Sequence, residues 1–380
     1  MKKSFTFYLT VVLGMAGFAS FSQELTQEFI NAGYSITDLG SINLVPTNYG
    51  GLTIRSSEPN TLYIGGEANS SSGAIYKVQL TRETAGHHIT GFAGDGVRCM
   101  NGENNDGGLF FAPNGVFLYT QYSQNHLGQM LPDSTENSTL LTDYGVSPSV
   151  GSVALVPSGF PGAGNLVFAS YNAGIFYKLP YTIDASGFYI LSYKTAEMDV
   201  EAIAPGPEGI AYVPQGSAGF PNLSMLVSSY TSGKVVVFDV GNEGLPNANA
   251  SREMITGMSG AEGALIDPVT GDFLFSTFGG GNKIIRVSGF QIPNGTVEKI
   301  SPEYRVKIAP NPTTGPITVD VNAAGSYFVE ISNILGNRIH VQELMGSKIF
   351  RYDLSSEPDG IYILKVISGG QSISRKVVKN

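Results

Sequence analysis

Glu208 and Glu262 occupy matching contexts, Pro207-Glu-Gly-Ile-Ala-Tyr-Val-Pro214 and Ala261-Glu-Gly-Ala-Leu-Ile-Asp-Pro268. Each stands directly before a short apolar run. The same register elsewhere in the chain holds Gly50, Gly107 and Gly151, and Asp106 lies one residue ahead of Gly107. If these five positions converge on one axis, two or three carboxylates meet there. Like charges in close quarters repel, so such a site favours a divalent cation such as calcium, a hard ion that takes oxygen ligands. It would equally raise one carboxyl pKa and provide a general acid or base. The alternative is structural: both glutamates cap backbone N–H groups of neighbouring loops.

Other chemistry-bearing residues point less sharply. The loop Glu103-Asn-Asn-Asp106-Gly is oxygen-rich but lacks EF-hand spacing, and reads as an exposed turn. His87 and His88 are adjacent, so on a strand they face opposite ways and do not readily share a metal; a solvent-exposed pair is expected. His126 and His340 are isolated. The single cysteine, Cys99, allows no intrachain disulfide and has no local base beside it. No Walker loop, dinucleotide fingerprint or nucleophile elbow is present. Gly279-Gly-Gly281-Asn reads as a hairpin turn.

The elements that would position the two glutamates recur. Gly51-Leu-Thr-Ile-Arg, Gly108-Leu-Phe-Phe-Ala-Pro113, Ser152-Val-Ala-Leu-Val-Pro157, Gly209-Ile-Ala-Tyr-Val-Pro214 and Gly263-Ala-Leu-Ile-Asp-Pro268 begin repeats spaced by 44 to 57 residues. A second strand follows each, near Leu62, Val116, Leu166, Met225 and Phe273, and four of these run into an aromatic: Tyr122, Tyr171, Tyr230 and Phe278. Third strands begin at Ala74, Leu127, Gly174, Lys234 and Lys283; weaker fourth strands are expected near Ile89, Leu140, Tyr189 and Met254. This period suits four-stranded propeller blades. The first strands open with small residues, as close approach around an axis requires. The last repeat lacks a fourth strand, which Tyr34-Ser-Ile-Thr-Asp-Leu39 would supply, closing the ring and removing open edges. Five blades are expected, or six if one is degenerate.

Composition agrees. The 380 residues include 48 Gly and 20 Pro, with 14% charged residues and aromatics that are all Tyr or Phe, a profile of short strands and tight turns. An apolar content of 42% with net charge −9 excludes a disordered chain, and the shortage of basic residues argues against nucleic acid.

The two ends differ from the middle. Met1 to Ser22 has the form of a signal peptide: Lys2 and Lys3, an apolar stretch from Phe5 to Phe18, and small residues before a cleavage point between Ser22 and Gln23. That stretch is short for a membrane span, and no other segment qualifies, so the mature chain is expected to carry none. Residues 23–298 form the repeat domain. From 303 to 380 alternating apolar and polar residues mark six or seven strands of a small β-sandwich. Pro310-Asn-Pro312 with Gly315, Leu335-Gly336, Asp353-Leu-Ser…Pro358-Asp-Gly360-Ile-Tyr362 and Lys376…Lys379 occur there in order. This segment closely resembles the type A sorting domain of the Bacteroidetes type IX secretion system. The resemblance implies passage through the Sec translocon and then an outer-membrane translocon, ending on the cell surface or outside.

Residues 105 to 290 also resemble exported β-propeller proteins of unknown activity, often found with short exosortase-type anchors. The similar stretches are Gly151-Ser-Val-Ala-Leu-Val-Pro157, Pro207 to Pro214 and Gly260 to Asn282. That resemblance implies export and fold but no chemistry. Three roles follow as expectations. The first is a binding or adhesion module for carbohydrate, peptide or protein on the loop face. The second is a metal-dependent hydrolase or lactonase with a cation at the channel mouth, like the gluconolactonase type of propeller in layout only. The third is a structural surface-layer component.

Overall fold

The computed structural model describes residues 23–55, 57–192, 199–204, 206–290, 305–322, 326–334, 336, 338–346, 348–368 and 371–380. The signal peptide expected at 1–22, with Ser22 of the cleavage point, lies outside them; Gln23 is the first described residue.

Five four-stranded antiparallel sheets follow one another along the chain. Blade 1 is Leu52–Ile54, Thr61–Gly66, Ala74–Arg82 and Ile89–Asn101; blade 2 is Asn105–Phe111, Phe117–Gln121, His126–Met130 and Glu136–Leu140. Blade 3 is Val150–Leu155, Leu166–Ser170, Ile175–Leu179 and Asp199–Ala202; blade 4 is Pro207–Val213, Ser224–Ser229, Lys234–Val240 and Pro246–Thr256. Blade 5 takes Ala261–Ile266, Phe273–Thr277 and Ile284–Ser288, and its outer strand is Ser35–Asp38 from the other end of the domain, paired Ser35 to Ser288 through Asp38 to Ile285. The expected closure is therefore present, and the sheets form a five-bladed propeller.

Glycine sets the spacing of the inner strands. A Cβ on Gly51 would lie 2.5 Å from Gly107 O, on Gly108 2.4 Å from Val153 N, and on Gly151 2.3 Å from Pro207 O. On Gly209 it would lie 2.2 Å from Ala264 N, and on Gly263 2.5 Å from the Leu52 side chain. Each blade so meets the next at a position that tolerates no side chain, and the ring returns to blade 1.

Blade 3 departs from expectation. Its fourth strand is Asp199–Ala202, not the segment at Tyr189. Tyr189–Leu191 instead pairs with Tyr181–Ile183 in a separate hairpin. The cause is local: Asp184 Oδ1 accepts from the N–H groups of Ser186, Gly187 and Phe188, making a tight turn that folds Tyr189 back onto Ile183. Before blade 1, Glu24–Leu25 adds a fifth strand to blade 4, and a short helix, Gln27–Asn31, buries Phe29 against Tyr34 and Phe220. With Phe273 and Phe290 these rings form an aromatic seam between blades 4 and 5. Full burial of each such side chain contributes about 1.5–3 kcal/mol.

The C-terminal segment is a sandwich of a three-stranded sheet (Arg305–Ala309, Pro316–Asn322, Lys348–Asp353) and a four-stranded one (Arg338–Met345, Ser326–Asn333, Gly360–Ser368, Gln371–Lys379). One core of Val319, Val321, Phe350, Val329, Ile331 and Leu364 joins them. Asn311 ties its entry to its last strand: Oδ1 accepts from Val378 N–H at 2.8 Å, and Nδ2 donates to Lys376 O at 2.7 Å. Between Pro310-Asn-Pro312 and Gly315, Thr313 bridges Lys379. A Cβ on Gly315 would strike Ser355 Oγ at 2.1 Å. Lys379 is buried and pairs with Asp359 at 2.6 Å, whereas Lys376 is half-buried. Gly336 and Gly360 approach Ser158 O and Pro268 O, in loops that join first to second strands. The sandwich therefore abuts one end of the propeller, beneath a central cavity of about 830 Å³ lined by the inner strands. Among the described residues the opposite end carries no such approach.

Candidate functional site

That opposite end carries the glutamates, and antiparallel pairing dictates what surrounds them. The start of each first strand lies beside the end of the second, as in Asn105 with Gln121, Val150 with Ser170, Pro207 with Ser229 and Ala261 with Thr277. Residues preceding the first strands and residues following the second strands must therefore share one mouth. In blades 2 to 5 the register also slips at this point, between Asn105 and Leu109, Val150 and Ser152, Pro207 and Ile210, and Ala261 and Ala264. Such a bulge bends the strand and re-aims the side chains on it.

Asp106, Glu208 and Glu262 come together there. One carboxylate oxygen from each lies within 4.8 Å of the others, and the residues are 0%, 2% and 1% exposed. The axial positions without carboxylates make room for them: a Cβ on Gly107 or Gly151 would lie 2.6 or 2.8 Å from Glu208 Oε2. The Gly107 N–H, beside both Asp106 and Glu208, favours the ionised form of each. Glu208 Oε2 and Glu262 Oε1 are buried without a hydrogen-bond partner, and Asp106 has only the Asn69 amide and the Gly107 N–H nearby, neither in a well-formed bond. Burial pushes the Asp106 carboxyl up to about 8. Burial first, and then the charges of its neighbours, raise Glu208 and Glu262 well above the usual carboxylate range. The loop from Glu103 is thus not the exposed turn its composition suggests. Asn104, Asn105 and Asp106 are buried because the first strand of blade 2 already begins at Asn105.

Above the acids stands an aromatic collar. Tyr122, Tyr171, Tyr230 and Phe278 follow one another edge-to-face, with centroids 5.7, 6.0 and 6.0 Å apart, and each is half-buried. Burial raises the Tyr171 and Tyr230 hydroxyls, and the charges of Glu208 and Glu262 add to it. The fifth position, in blade 1, is Glu67. Its N–H donates to Thr47 O at 3.1 Å, as those of Tyr122, Tyr171, Tyr230 and Phe278 donate to Asn104, Ser149, Gly206 and Gly260. Sequence reasoning missed Glu67, although it follows Gly66 at the end of a second strand as Tyr122 follows Gln121.

Sequence reasoning also missed the hydroxyls two residues before the collar. Thr120 donates to Gly151 O at 3.2 Å, Ser228 to Gly263 O at 3.4 Å and Ser276 to Gly50 O at 2.6 Å, each linking a blade to the next. Their recurrence at one repeat position is the signal that could have found them.

The remaining candidates do other work. His87 is exposed, but His88 is half-buried and reaches Asp272 Oδ2 at 2.6 Å, so the histidines are not an exposed pair. His126 bonds Ser138 at 2.7 Å, and His340 packs on Phe350 and Tyr352. Burial pushes the Cys99 thiol up to about 11, and a thiol is a poor nucleophile. Among the described residues no helix is long and apolar enough to cross a membrane.

No curated protein matches the chain. Solved structures similar to it include an inactive virginiamycin B lyase from Staphylococcus aureus with quinupristin: 13% identity, 91% of this chain and 99% of that one, TM-score 0.34. A glucose dehydrogenase is 14% identical over 64% of this chain and 86% of its own, TM-score 0.36. A PQQ-bound aldose sugar dehydrogenase from Streptomyces coelicolor is 12% identical over 66% and 83%, TM-score 0.34. These likenesses carry no argument about activity. Residues 307–380 match the secretion system C-terminal sorting domain family, so the sandwich is a type IX sorting domain and the chain bearing it is marked for secretion.

Proposed function

We propose that the protein is an extracellular binding module whose ligand, a carbohydrate or a peptide, is held at the propeller mouth. The observation that carries this reading is the collar. Four half-buried rings follow one another in unbroken edge-to-face contact at the mouth, away from the described contacts of the sorting domain. Aromatic faces stack on sugar rings or apolar peptide groups, and Tyr adds a hydroxyl for hydrogen bonding. Glycan and peptide arrays probed with residues 23–380 are expected to return a ligand whose affinity falls at least tenfold in Tyr171→Ala/Tyr230→Ala. Unchanged affinity in that variant would move the site elsewhere. Retention by neither array would leave the surface-layer role.

A second reading, a metal-dependent hydrolase or lactonase, is favoured by the three acids below the collar. Its signature is turnover of a lactone or glycoside by the wild type that disappears in Glu208→Gln.

A further inference from the structure

We infer that Asp106, Glu208 and Glu262 form a site for one divalent cation, calcium by its fit, that joins blades 2, 4 and 5 across the propeller axis.

Glu208 Oε2 and Glu262 Oε1 are acceptors that meet no donor, and Asp106 has only the Asn69 amide and the Gly107 N–H beside it, neither in a well-formed hydrogen bond. The charges that act on Glu208 and Glu262 are those of the acids themselves. A second observation lies outside the acid cluster. Asn105 has no exposed surface, and its amide oxygen is also without a partner. That oxygen packs on Gly65 and Gly50 of blade 1, where a Cβ would meet it at 1.9 and 2.4 Å, while the amide nitrogen donates to Gly66 O and Gly102 O. Asn69, beside Asp106, likewise leaves its buried Oδ1 unpartnered. A cation among the three acids would neutralise them and fill their open acceptor positions at once.

The donor set selects the ion. It contains only oxygen, with no thiolate and no imidazole, which suits a hard cation over zinc or copper. Opposite ligands of calcium stand about 4.6–5.2 Å apart, those of magnesium about 4.0–4.2 Å. The acid oxygens, all within 4.8 Å of one another, lie inside the span of a calcium shell. Gly107 and Gly151 keep the space beside Glu208 free of side chains. This site does not depend on the collar binding a ligand, so either can fail without the other.

The test uses residues 23–380 stripped with chelator and titrated with calcium, magnesium or terbium at pH 8. The chain has no Trp, so terbium on the acids can be sensitised only by tyrosine, and Tyr171 and Tyr230 are at hand. One calcium per chain, a melting temperature raised by several degrees, a weaker response to magnesium and terbium emission displaced by calcium are expected. Glu208→Gln/Glu262→Gln, near-isosteric and checked for native circular dichroism, should lose all four. Tyr171→Phe/Tyr230→Phe should keep calcium and its thermal shift while dimming terbium. No calcium bound and no shift at pH 8 would overturn the proposal and leave a proton-sharing cluster. A calcium response that persists in the Gln variant would overturn it too, by placing the ion elsewhere.

Discussion

Buried carboxylates occur in two regions of this propeller, and their surroundings are opposite. At the seam where blade 1 meets blade 5, Asp267 is fully buried and takes Arg82 through two bonds of 2.7 and 2.8 Å. The other Arg82 donors go to Pro59 O, His87 O and Asn60 Oδ1, so the guanidinium is saturated. Thr270 and two backbone N–H groups complete Asp267, and Asp272 nearby faces His88 and Arg286. At the mouth, three acids as deeply buried have one another and no basic side chain. A buried charge with all its partners built in is a structural joint. A buried cluster of one sign, with no basic side chain beside it among the described residues, is organised for something that comes to it.

The sharpest way to break the comparison is at the seam. Arg82→Ala strands the Asp267 carboxylate and is expected to cost about 3–5 kcal/mol in denaturant unfolding. A loss below about 1 kcal/mol would show that the pair is not a joint. The next test concerns room at the mouth. Gly107→Ala drives a Cβ to within 2.6 Å of Glu208 Oε2 and should cost about 1–3 kcal/mol. In a Glu208→Gly background most of that cost should vanish; additive effects would mean that the glycine serves the backbone alone.

The smallest effect is also the most diagnostic. Unfolded Asp106 ionises near 3.8, while the folded group keeps its proton until about 8. Between those values the folded state binds more protons, so in chelator stability should fall as pH climbs from about 4 to about 8 and level off above. Glu262→Gln removes a neighbouring charge, should flatten that slope, and should stabilise the metal-free protein at pH 7 by about 1 kcal/mol. Asp267→Asn at the seam should do the reverse and destabilise. The same sign at both places would erase the distinction between them.

Much of the architecture was legible because repetition is. Strand alternation, a recurring small-residue start and a missing last strand led to five blades and to closure by the strand after Tyr34. The Glu208 and Glu262 register followed from the same alignment. Legibility failed where one repeat departs from the rest. Asp184 makes a private hairpin in blade 3, and the chain reaches a fourth strand only at Asp199. It failed again in composition: Glu103-Asn-Asn-Asp106 is polar enough for a surface turn, yet most of it is buried at the mouth.

The sequence alone narrowed the blades to five or six and determined the sandwich, the sorting signal and the positions from which carboxylates could converge, because each is a periodic or local pattern of neighbouring residues. Only the tertiary structure decided that three acids meet, that four rings and Glu67 surround them, and that Arg82 finds Asp267 across 185 positions of sequence. Those contacts arise when the ring closes and brings first strands of different blades to one axis. No periodicity in the chain records such pairings, because each occurs once.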